Sequence, residues 1–315
     1  MAERHAIDDD LVIFGDMAGK EQYVKMRASS GKHFFRYSER LLKRGDWWRF
    51  IPQKSYRTWN MFTRYRKCKM NVLCAGAFTA RDLSLSGFPL DKCLKWGYFP
   101  EVDINNGRKW NYSGKDINIC SAQRLIPWKR VDLQLDIAKL LKRNGVNFKL
   151  WIVGAGVEES KLKRLSQSYG LDDCVKFCGE LCHEETIKVM KNSDIFLATS
   201  NRMEGWGATI NEAMAAGCCV VANGEIGSVP YLVRDGQNGY VVQSCNAFSF
   251  YELIDHLIEN PAKIEIAGRE AMQTIAFEWN AETASRRLMS FYYSEVCQNS
   301  RHSFDWPTSG PLSLC

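Results

Sequence analysis

The chain has 315 residues, a formal net charge of +6 and 45% hydrophobic residues, enough apolar surface for two ordinary α/β cores. No apolar run approaches the length that crosses a bilayer, and we expect no signal peptide, so the composition argues against an integral membrane protein. The twelve cysteines are scattered, and several fall within apolar strand patterns. This favours small core residues in a reducing compartment over a disulfide framework.

Strand and helix patterns alternate over the first part of the chain, as in an α/β domain. The expected strands and helices lie at residues 11–14, 21–29, 32–37, 71–74, 79–85 and 93–96. Polar segments at 105–107 and 111–114 predict a hinge. We therefore expect a first domain over residues 1–112.

A basic, largely helical segment at residues 36–69 interrupts this alternation. It contains eleven basic and two acidic residues, interleaved with aromatic side chains. Such a segment suits an anionic membrane surface, where Lys and Arg meet headgroups and aromatic rings settle at the interface. The alternatives are an ordinary basic surface over a partly aromatic core and a nucleic-acid surface. We expect no nucleic acid, because no recognised binding motif accompanies the charge.

The second half begins with an apolar strand at residues 117–120, followed by a loop with two cations. Arg124 and Lys129 lie five residues apart in this loop, before a helix with apolar positions from Val131 onward. Cations placed in this way can clamp a diphosphate. The alternative is a solvated basic loop.

A Gly-x-Gly turn, Gly154 to Gly156, follows the next apolar strand at residues 148–153. Alone it is a weak sign of nucleotide binding, because a third glycine is missing. A short strand at 174–179 and a helix at 183–190 come next. The cysteines at 174, 178 and 182 are spaced by four, unlike the paired spacing of zinc sites, so we expect no metal.

The most informative stretch runs from Glu204 to Glu212, between two apolar strands at 194–198 and 218–222. Gly205 and Gly207 allow close backbone approach to a ligand. A helix that starts near Ala208 would direct N–H groups and a partial positive charge at phosphate. The two glutamates would then lie on either side, which suits a sugar nucleotide. The alternative is a generic turn of a parallel α/β fold.

Taken in order, these motifs resemble the donor domain of retaining glycosyltransferases of the GT-B fold, family 4 (group 1), of the type used in surface polysaccharide biosynthesis. The resemblance covers residues 115–297. It implies that Arg124 and Lys129 hold the donor diphosphate and that Glu204 contacts the transferred sugar, these three being the catalytic set. It implies a further donor-binding set of Gly154, Gly179, Glu180, Gly205, Gly207, Ala208, Thr209 and Glu212. Glu212 would bond the ribose hydroxyls, and Gly179 and Glu180 would lie beside the base.

The sequence departs from the family pattern in three places. Arg130 stands where glycine is common, and no equivalent of the acceptor-side histidine is found, which leaves Glu39 as the candidate for acceptor contact. About 112 residues precede the donor domain, fewer than this fold normally has.

The resemblance therefore implies an α/β protein of the GT-B fold with two Rossmann-like domains facing a cleft, the first of them shortened. The donor domain is expected over residues 113–297, with a terminal helix near 282–297 that packs back toward the first domain, and a tail over 298–315.

The implied activity is transfer of a hexose from UDP- or GDP-hexose to a hydroxyl of a lipid-linked or cell-surface glycan, with retention and without metal or cofactor. A cytoplasmic location, peripheral at the inner face of the plasma membrane, is expected. The alternative is a truncated, inactive partner subunit that binds nucleotide sugar. A phosphorylase-like enzyme is disfavoured, because no lysine set for a pyridoxal cofactor is seen.

Overall fold

The structure, a computed structural model, describes residues 2–15, 19, 21–101, 116–296 and 304–315. The chain divides into two compact units, one formed by Met1–Tyr98 and Trp279–Cys315, the other by Phe99–Glu278. The predicted hinge and the boundary at residue 112 lie outside the described residues, so this boundary stays a prediction.

The first unit begins with alternating helices and strands. These are α1 (Ala2–Asp8), β1 (Ile13–Phe14), α2 (Glu21–Ser29), β2 (Phe34–Glu39), α3 (Pro52–Met61), β3 (Met70–Ala75), α4 (Thr79–Ser84) and β4 (Cys93–Trp96). The strands form one parallel sheet in chain order. Short 3-10 turns at Asp46–Phe50 and Thr63–Tyr65 flank α3, so segment 36–69 is largely helical, as predicted.

The second unit is a larger parallel sheet with helical connections. Its elements are β5 (Ile117–Ala122), α5 (Val131–Arg143), β6 (Phe148–Val153), α6 (Glu159–Ser168), β7 (Val175–Gly179), α7 (His183–Lys191), β8 (Ile195–Ala198), α8 (Ala208–Ala215), β9 (Cys219–Asn223), α9 (Val229–Leu232), β10 (Tyr240–Val242), α10 (Ala247–Glu259) and α11 (Pro261–Gln273). The strand order is β10-β9-β8-β5-β6-β7. Because β5 lies between β6 and β8, the order reverses there, and ligands of open α/β sheets bind at such a switch point.

Helical periodicity places α5 on this sheet. Val131, Leu135, Ala138 and Leu141 recur at intervals of three and four residues and are buried in one cluster with Ile119 of β5. This apolar stripe is what a helix packed on a sheet requires. It holds the start of α5, and with it the preceding loop, at the carboxyl end of the sheet.

The chain then returns to the first unit through α12 (Ala281–Phe291), which is followed by a π-helical turn at Tyr292–Val296. Leu288 and Phe291 of α12 pack in one cluster with Phe35, Leu73 and Leu94 of the first sheet. The helix that the sequence predicts at 282–297 corresponds to these elements over its described residues.

The C-terminal segment, residues 304–315, continues along β4. Leu314 forms an antiparallel bridge with Leu94, and the Lys95 N–H donates to the Ser313 carbonyl at 2.8 Å. Leu312 is fully buried, and its N–H donates to the Lys95 carbonyl at 2.8 Å. Backbone pairing of this kind covers the exposed edge of a sheet.

Within the described ranges, no helix is both long enough and apolar enough to cross a membrane.

Candidate active site

The loop between β8 and α8 is the centre of the site, and its glycines have structural reasons. Gly207 is the N-cap of α8 and has φ 89°, a left-handed conformation that favours glycine. Gly207 has no side chain that could cap this helix, so α8 presents N–H groups at Ala208 and Thr209. Trp206 is buried beside them, and its Nε1 donates to Asn211 Oδ1 at 2.8 Å.

A second loop, at residues 224–228, fixes the first one through backbone contacts. The Gly227 N–H donates to the Glu204 carbonyl at 3.3 Å, and the Ser228 N–H donates to the Trp206 carbonyl at 3.1 Å. A Cβ on Gly227 would lie only 1.7 Å from the Gly205 carbonyl oxygen, so only glycine fits. The conformation of the 204–207 loop is thus set by its neighbour as well as by its own sequence.

In the structure, two of the three predicted catalytic residues are in contact. Lys129 Nζ forms an ion pair with Glu204 Oε2, and the two side chains are only 14% and 15% exposed. Their loops follow β5 and β8, which are adjacent strands. The pair is therefore a consequence of the strand order. Arg124 lies on the same loop as Lys129 and is exposed, and its guanidinium has no hydrogen-bond or ion-pair partner among the described residues.

A buried polar chain, missed at the sequence level, positions the Lys129 loop. The Ser121 hydroxyl donates to Gln134 Oε1 at 2.8 Å, and Gln134 Nε2 donates to Thr199 Oγ1 at 3.0 Å. The Thr199 hydroxyl in turn faces the carbonyl oxygens of Lys129 and Arg130, at 3.1 and 3.0 Å. The available signal was a glutamine among the apolar positions of α5, because a buried amide needs partners.

The backbone conformation at Arg130 explains why glycine is common at this position. It has φ 54° and ψ 46°, left-handed backbone that costs an L-residue about 1–2 kcal/mol. Its guanidinium pairs with Asp132, with Nε 3.0 Å from Oδ1. The sharp bend at Arg130 separates the turn that contains Lys129 from α5.

The Gly154 turn contacts the Lys129 loop through backbone. Gly154 has φ 125°, and a Cβ on it would lie 2.0 Å from the Gln123 carbonyl oxygen. The Leu125 N–H donates to the Ala155 carbonyl at 2.9 Å. The observed role of Gly154 is therefore close packing of two loops, and its predicted donor contact stays a prediction.

The residues predicted beside the base and ribose lie at the ends of β7 and in α8. Gly179 has φ 72° with open space around its Cα, and Glu180 is exposed. Glu212 is mostly buried, and burial raises the pKa of its carboxyl above the ordinary value. His183, also missed at the sequence level, opposes this shift with its Nδ1 3.9 Å from Glu212 Oε1.

Glu39, the candidate for acceptor contact, lies at the carboxyl end of β2 in the first unit. Its two oxygens are engaged by Lys43 Nζ at 2.8 Å and by the Tyr98 hydroxyl at 2.7 Å. The structure gives it no acceptor role of its own, and that role stays a prediction. Across the described ranges, no group of three or more His, Cys, Asp or Glu side chains could hold a metal ion.

The fold and this site define the class of protein. The chain matches the Anabaena protein HepE, solved in complex with UDP, with a TM-score of 0.72 and 17% identity over 93% of this chain and 80% of that one. A glycosyltransferase from Rickettsia africae matches with a TM-score of 0.71 and 18% identity, over 95% of this chain and 80% of that one. The fold is GT-B, an α/β architecture with parallel sheets, as predicted.

The family follows from the sequence. The model for glycosyl transferases group 1 matches residues 103–274, and the chain belongs to that family. It is 28% identical over 188 residues to the putative colanic acid biosynthesis glycosyltransferase WcaL of Salmonella typhimurium, 56% of this chain and 45% of that protein.

A second relative is the GDP-mannose-dependent monoacylated alpha-(1-6)-phosphatidylinositol monomannoside mannosyltransferase of Corynebacterium glutamicum. The identity is 28% over 202 residues, which cover 62% of this chain and 52% of that protein. The chain spans about half the length of these curated relatives.

Proposed function

We propose that this chain transfers a hexose from UDP- or GDP-hexose to a hydroxyl of a glycan, with retention of anomeric configuration and without a metal. Family membership supports a glycosyltransferase. The names of the relatives support polysaccharide biosynthesis and, in one case, a GDP-mannose donor and a lipid acceptor. The HepE protein was also solved in complex with UDP and glucose, which supports a nucleotide-sugar donor.

One observation carries the donor half of the proposal: the Lys129–Glu204 pair lies beside Gly207, the N-cap of α8. A bound diphosphate would replace Glu204 as the partner of Lys129. The carboxylate of Glu204 would then accept hydrogen bonds from the sugar and orient it. Arg124, exposed on the same loop, would bind the same diphosphate.

The chemistry follows from charge development. As the bond to the anomeric carbon breaks, negative charge grows on the leaving diphosphate. Arg124, Lys129 and the N–H groups of Ala208 and Thr209 would stabilise that charge in the transition state, in place of a metal. The departing phosphate would accept the proton of the incoming hydroxyl on the same face, which gives retention. Glu212 would bind the ribose hydroxyls.

The direct test is calorimetric titration of the chain with UDP, GDP, ADP and their common hexose conjugates, with and without EDTA. We expect one nucleotide to bind selectively, binding to be lost in Arg124→Ala and Glu212→Ala, and EDTA to change nothing. Binding without transfer or hydrolysis would favour the inactive partner subunit. No binding of any nucleotide would reject the donor site.

We also propose that segment 36–69 contacts an anionic membrane surface and brings the enzyme to a lipid-linked acceptor. Trp47, Phe50, Tyr56 and Trp59 in this segment are large side chains that are 47–73% exposed. Exposed aromatics among basic residues are typical of a surface that binds headgroups. The predicted location, cytoplasmic and membrane-peripheral, rests on this proposal.

A further inference from the structure

The first unit contains a cavity of about 890 Å³ at the carboxyl end of β2. Its walls come from Tyr37 to Lys43, from the turn at Asp46–Phe50, from α3 and from Tyr98. Ligands of parallel α/β sheets bind at this end of the strands. The volume matches that of ordinary small-molecule sites, which are about 300–1,000 Å³.

The charged side chains that line this cavity are strongly asymmetric. Glu39 is the one carboxylate among the described lining residues. The lining cations are Arg40, Lys43, Arg49, Lys54 and Arg57. A concave site lined by one sign of charge concentrates its field and attracts ligands of the opposite sign.

Two of these cations are neutralised within the protein. Lys43 pairs with Glu39 at 2.8 Å, and the Arg40 guanidinium lies 3.7 Å from the buried carboxylate of Asp82. The Tyr98 hydroxyl donates to the second oxygen of Glu39 at 2.7 Å, so both oxygens of this carboxylate already have a partner within the protein.

Arg49 and Lys54 have no carboxylate within ion-pair distance among the described residues. Each lies against an aromatic ring instead, with Arg49 Cζ 4.7 Å from the centre of Phe50 and Lys54 Nζ 4.8 Å from the centre of Trp48. Arg49 Nε is buried and has no hydrogen-bond partner in the described structure. A buried N–H of a charged group without an acceptor is costly, so a ligand oxygen that accepts from Arg49 Nε would be stabilising.

We propose that this cavity is an anion-binding subsite, and that the acceptor of the transfer carries a phosphate ester held by Arg49 and Lys54. The inference rests on the proposed function, because it names the acceptor class of the same reaction. A guanidinium and an ammonium from two different elements suit a phosphate, which offers three acceptor oxygens and up to two charges. A neutral sugar would leave both cations unneutralised.

The test measures ligand binding to the full chain by calorimetry, with UDP and GDP both present in excess so that phosphate does not enter the donor site. Glucose 1-phosphate is the soluble probe, dihexanoyl phosphatidic acid below its micelle concentration is the lipid probe, and glucose and glucuronate are the controls. The test variant is R49Q/K54Q. Its matched control is K25Q/R66Q, which removes one lysine and one arginine that are exposed elsewhere on the same unit.

We expect at least one phosphate probe to bind, R49Q/K54Q to weaken that binding about tenfold or more, and K25Q/R66Q to change it less than about twofold. Binding of glucose 1-phosphate assigns the phosphate to the glycan, and selective binding of the lipid probe assigns it to a lipid carrier. Equal binding of glucose or glucuronate would overturn the proposal, as would equal losses in the two double variants.

Two further measurements keep the result interpretable. Lys54→Gln alone removes an exposed side chain, so it tests the site if R49Q/K54Q does not fold. Titration of every variant with UDP and with GDP reports on the donor site separately. If neither UDP nor GDP binds to the wild type, the proposed function fails, whereas phosphate binding that depends on Arg49 and Lys54 would still establish the subsite.

Discussion

At the scale of single residues, the site brings together charged side chains that are far apart in the sequence. Lys129 and Glu204 are 75 residues apart and form a mostly buried ion pair. Removal of one partner of a buried ion pair strongly destabilises the folded protein, because the other charge stays buried and unpaired. A ligand that replaces one partner avoids that cost, so the pair is suited to exchange with a diphosphate.

Glu204→Gln should separate binding from turnover. The amide keeps the shape of the side chain and loses the charge that we propose orients the sugar, so we expect turnover to fall by about 10²-fold. Affinity for the nucleoside diphosphate that the wild type binds, UDP or GDP, should be unchanged or tighter, since Lys129 no longer has a competing carboxylate. Steady-state rates and calorimetric titrations with that nucleotide on the same preparations provide the measurement. Equal losses in turnover and nucleotide affinity would contradict the role of Glu204.

Glu212 should make the free energy of unfolding depend on pH, with stability falling as pH rises. Its folded-state pKa is raised by burial, so the folded protein holds this proton more tightly than the unfolded chain. The contribution of Glu212 to the free energy of unfolding therefore falls as pH rises from its ordinary pKa, 4.5, through the raised value. Denaturant titrations from about pH 4 to about pH 7 should show wild type losing stability relative to Glu212→Gln over that window.

The matched control for this measurement is Glu184→Gln, which removes an exposed carboxylate on the neighbouring helix α7. Its difference from wild type should vary much less with pH. A wild-type advantage over Glu212→Gln that grows with pH would show that the carboxylate is favoured in the folded state, and the assigned cause of the shift would be wrong.

At the scale of elements, loops at the carboxyl ends of adjacent strands are fixed by each other. Gly154 approaches Gln123, and Gly227 approaches Gly205, at distances that no side chain allows. The chain Ser121–Gln134–Thr199 connects β5, α5 and the end of β8. The first unit also contains a contact between distant parts of the chain, in which the C-terminal segment pairs with β4.

Leu312→Ala should weaken the pairing of the C-terminal segment with β4. Replacement of a fully buried leucine by alanine typically costs about 2–5 kcal/mol. We expect faster amide hydrogen exchange in β4, above all at Lys95, whose carbonyl and N–H both bond to this segment. Leu314→Ala is the control, because this side chain is 49% exposed and its bridge uses backbone alone. Equal effects of the two variants would show that the segment is held only by its backbone.

At the scale of the whole molecule, charge divides unevenly along the chain. Residues 1–112 contain 21 basic and 12 acidic residues, and the remainder contains 21 basic and 24 acidic. The excess of positive charge is concentrated in segment 36–69, where the exposed aromatic side chains also lie. Charge and exposed rings in one segment favour association with a negatively charged surface.

Binding to vesicles should depend on both features. W47S/F50S removes two exposed rings, and we expect about tenfold weaker association with vesicles that contain phosphatidylglycerol. Binding of the wild type should also fall steeply between low and high salt, because headgroup attraction is screened. Co-sedimentation measures both effects. F248S/F277S, which removes two exposed phenylalanines of the second unit, is the control, and equal losses in both variants would reject a specific surface.

Much of the fold could be predicted from local sequence patterns. The strands at β3, β4, β5 and β6 and the helices α2, α5 and α8 fall close to their expected positions, because buried strands and amphipathic helices each have their own periodicity. Of the site, Glu204, Gly207 and the start of α8 were found together because they are close in sequence. α1 and the role of Gly154 in packing were missed, since both depend on neighbours distant along the chain.

The sequence by itself determined the α/β class, the glycine-bracketed loop before α8 and the family, because these depend on the order of residues along short segments. Tertiary structure alone decided that Lys129 pairs with Glu204, that Gln134 and Thr199 hold the Lys129 loop, and that Arg49 and Lys54 line one cavity. The physical reason is that strand order places distant loops side by side. Only then do burial and charge compensation set which side chains are neutralised and which remain available to a ligand.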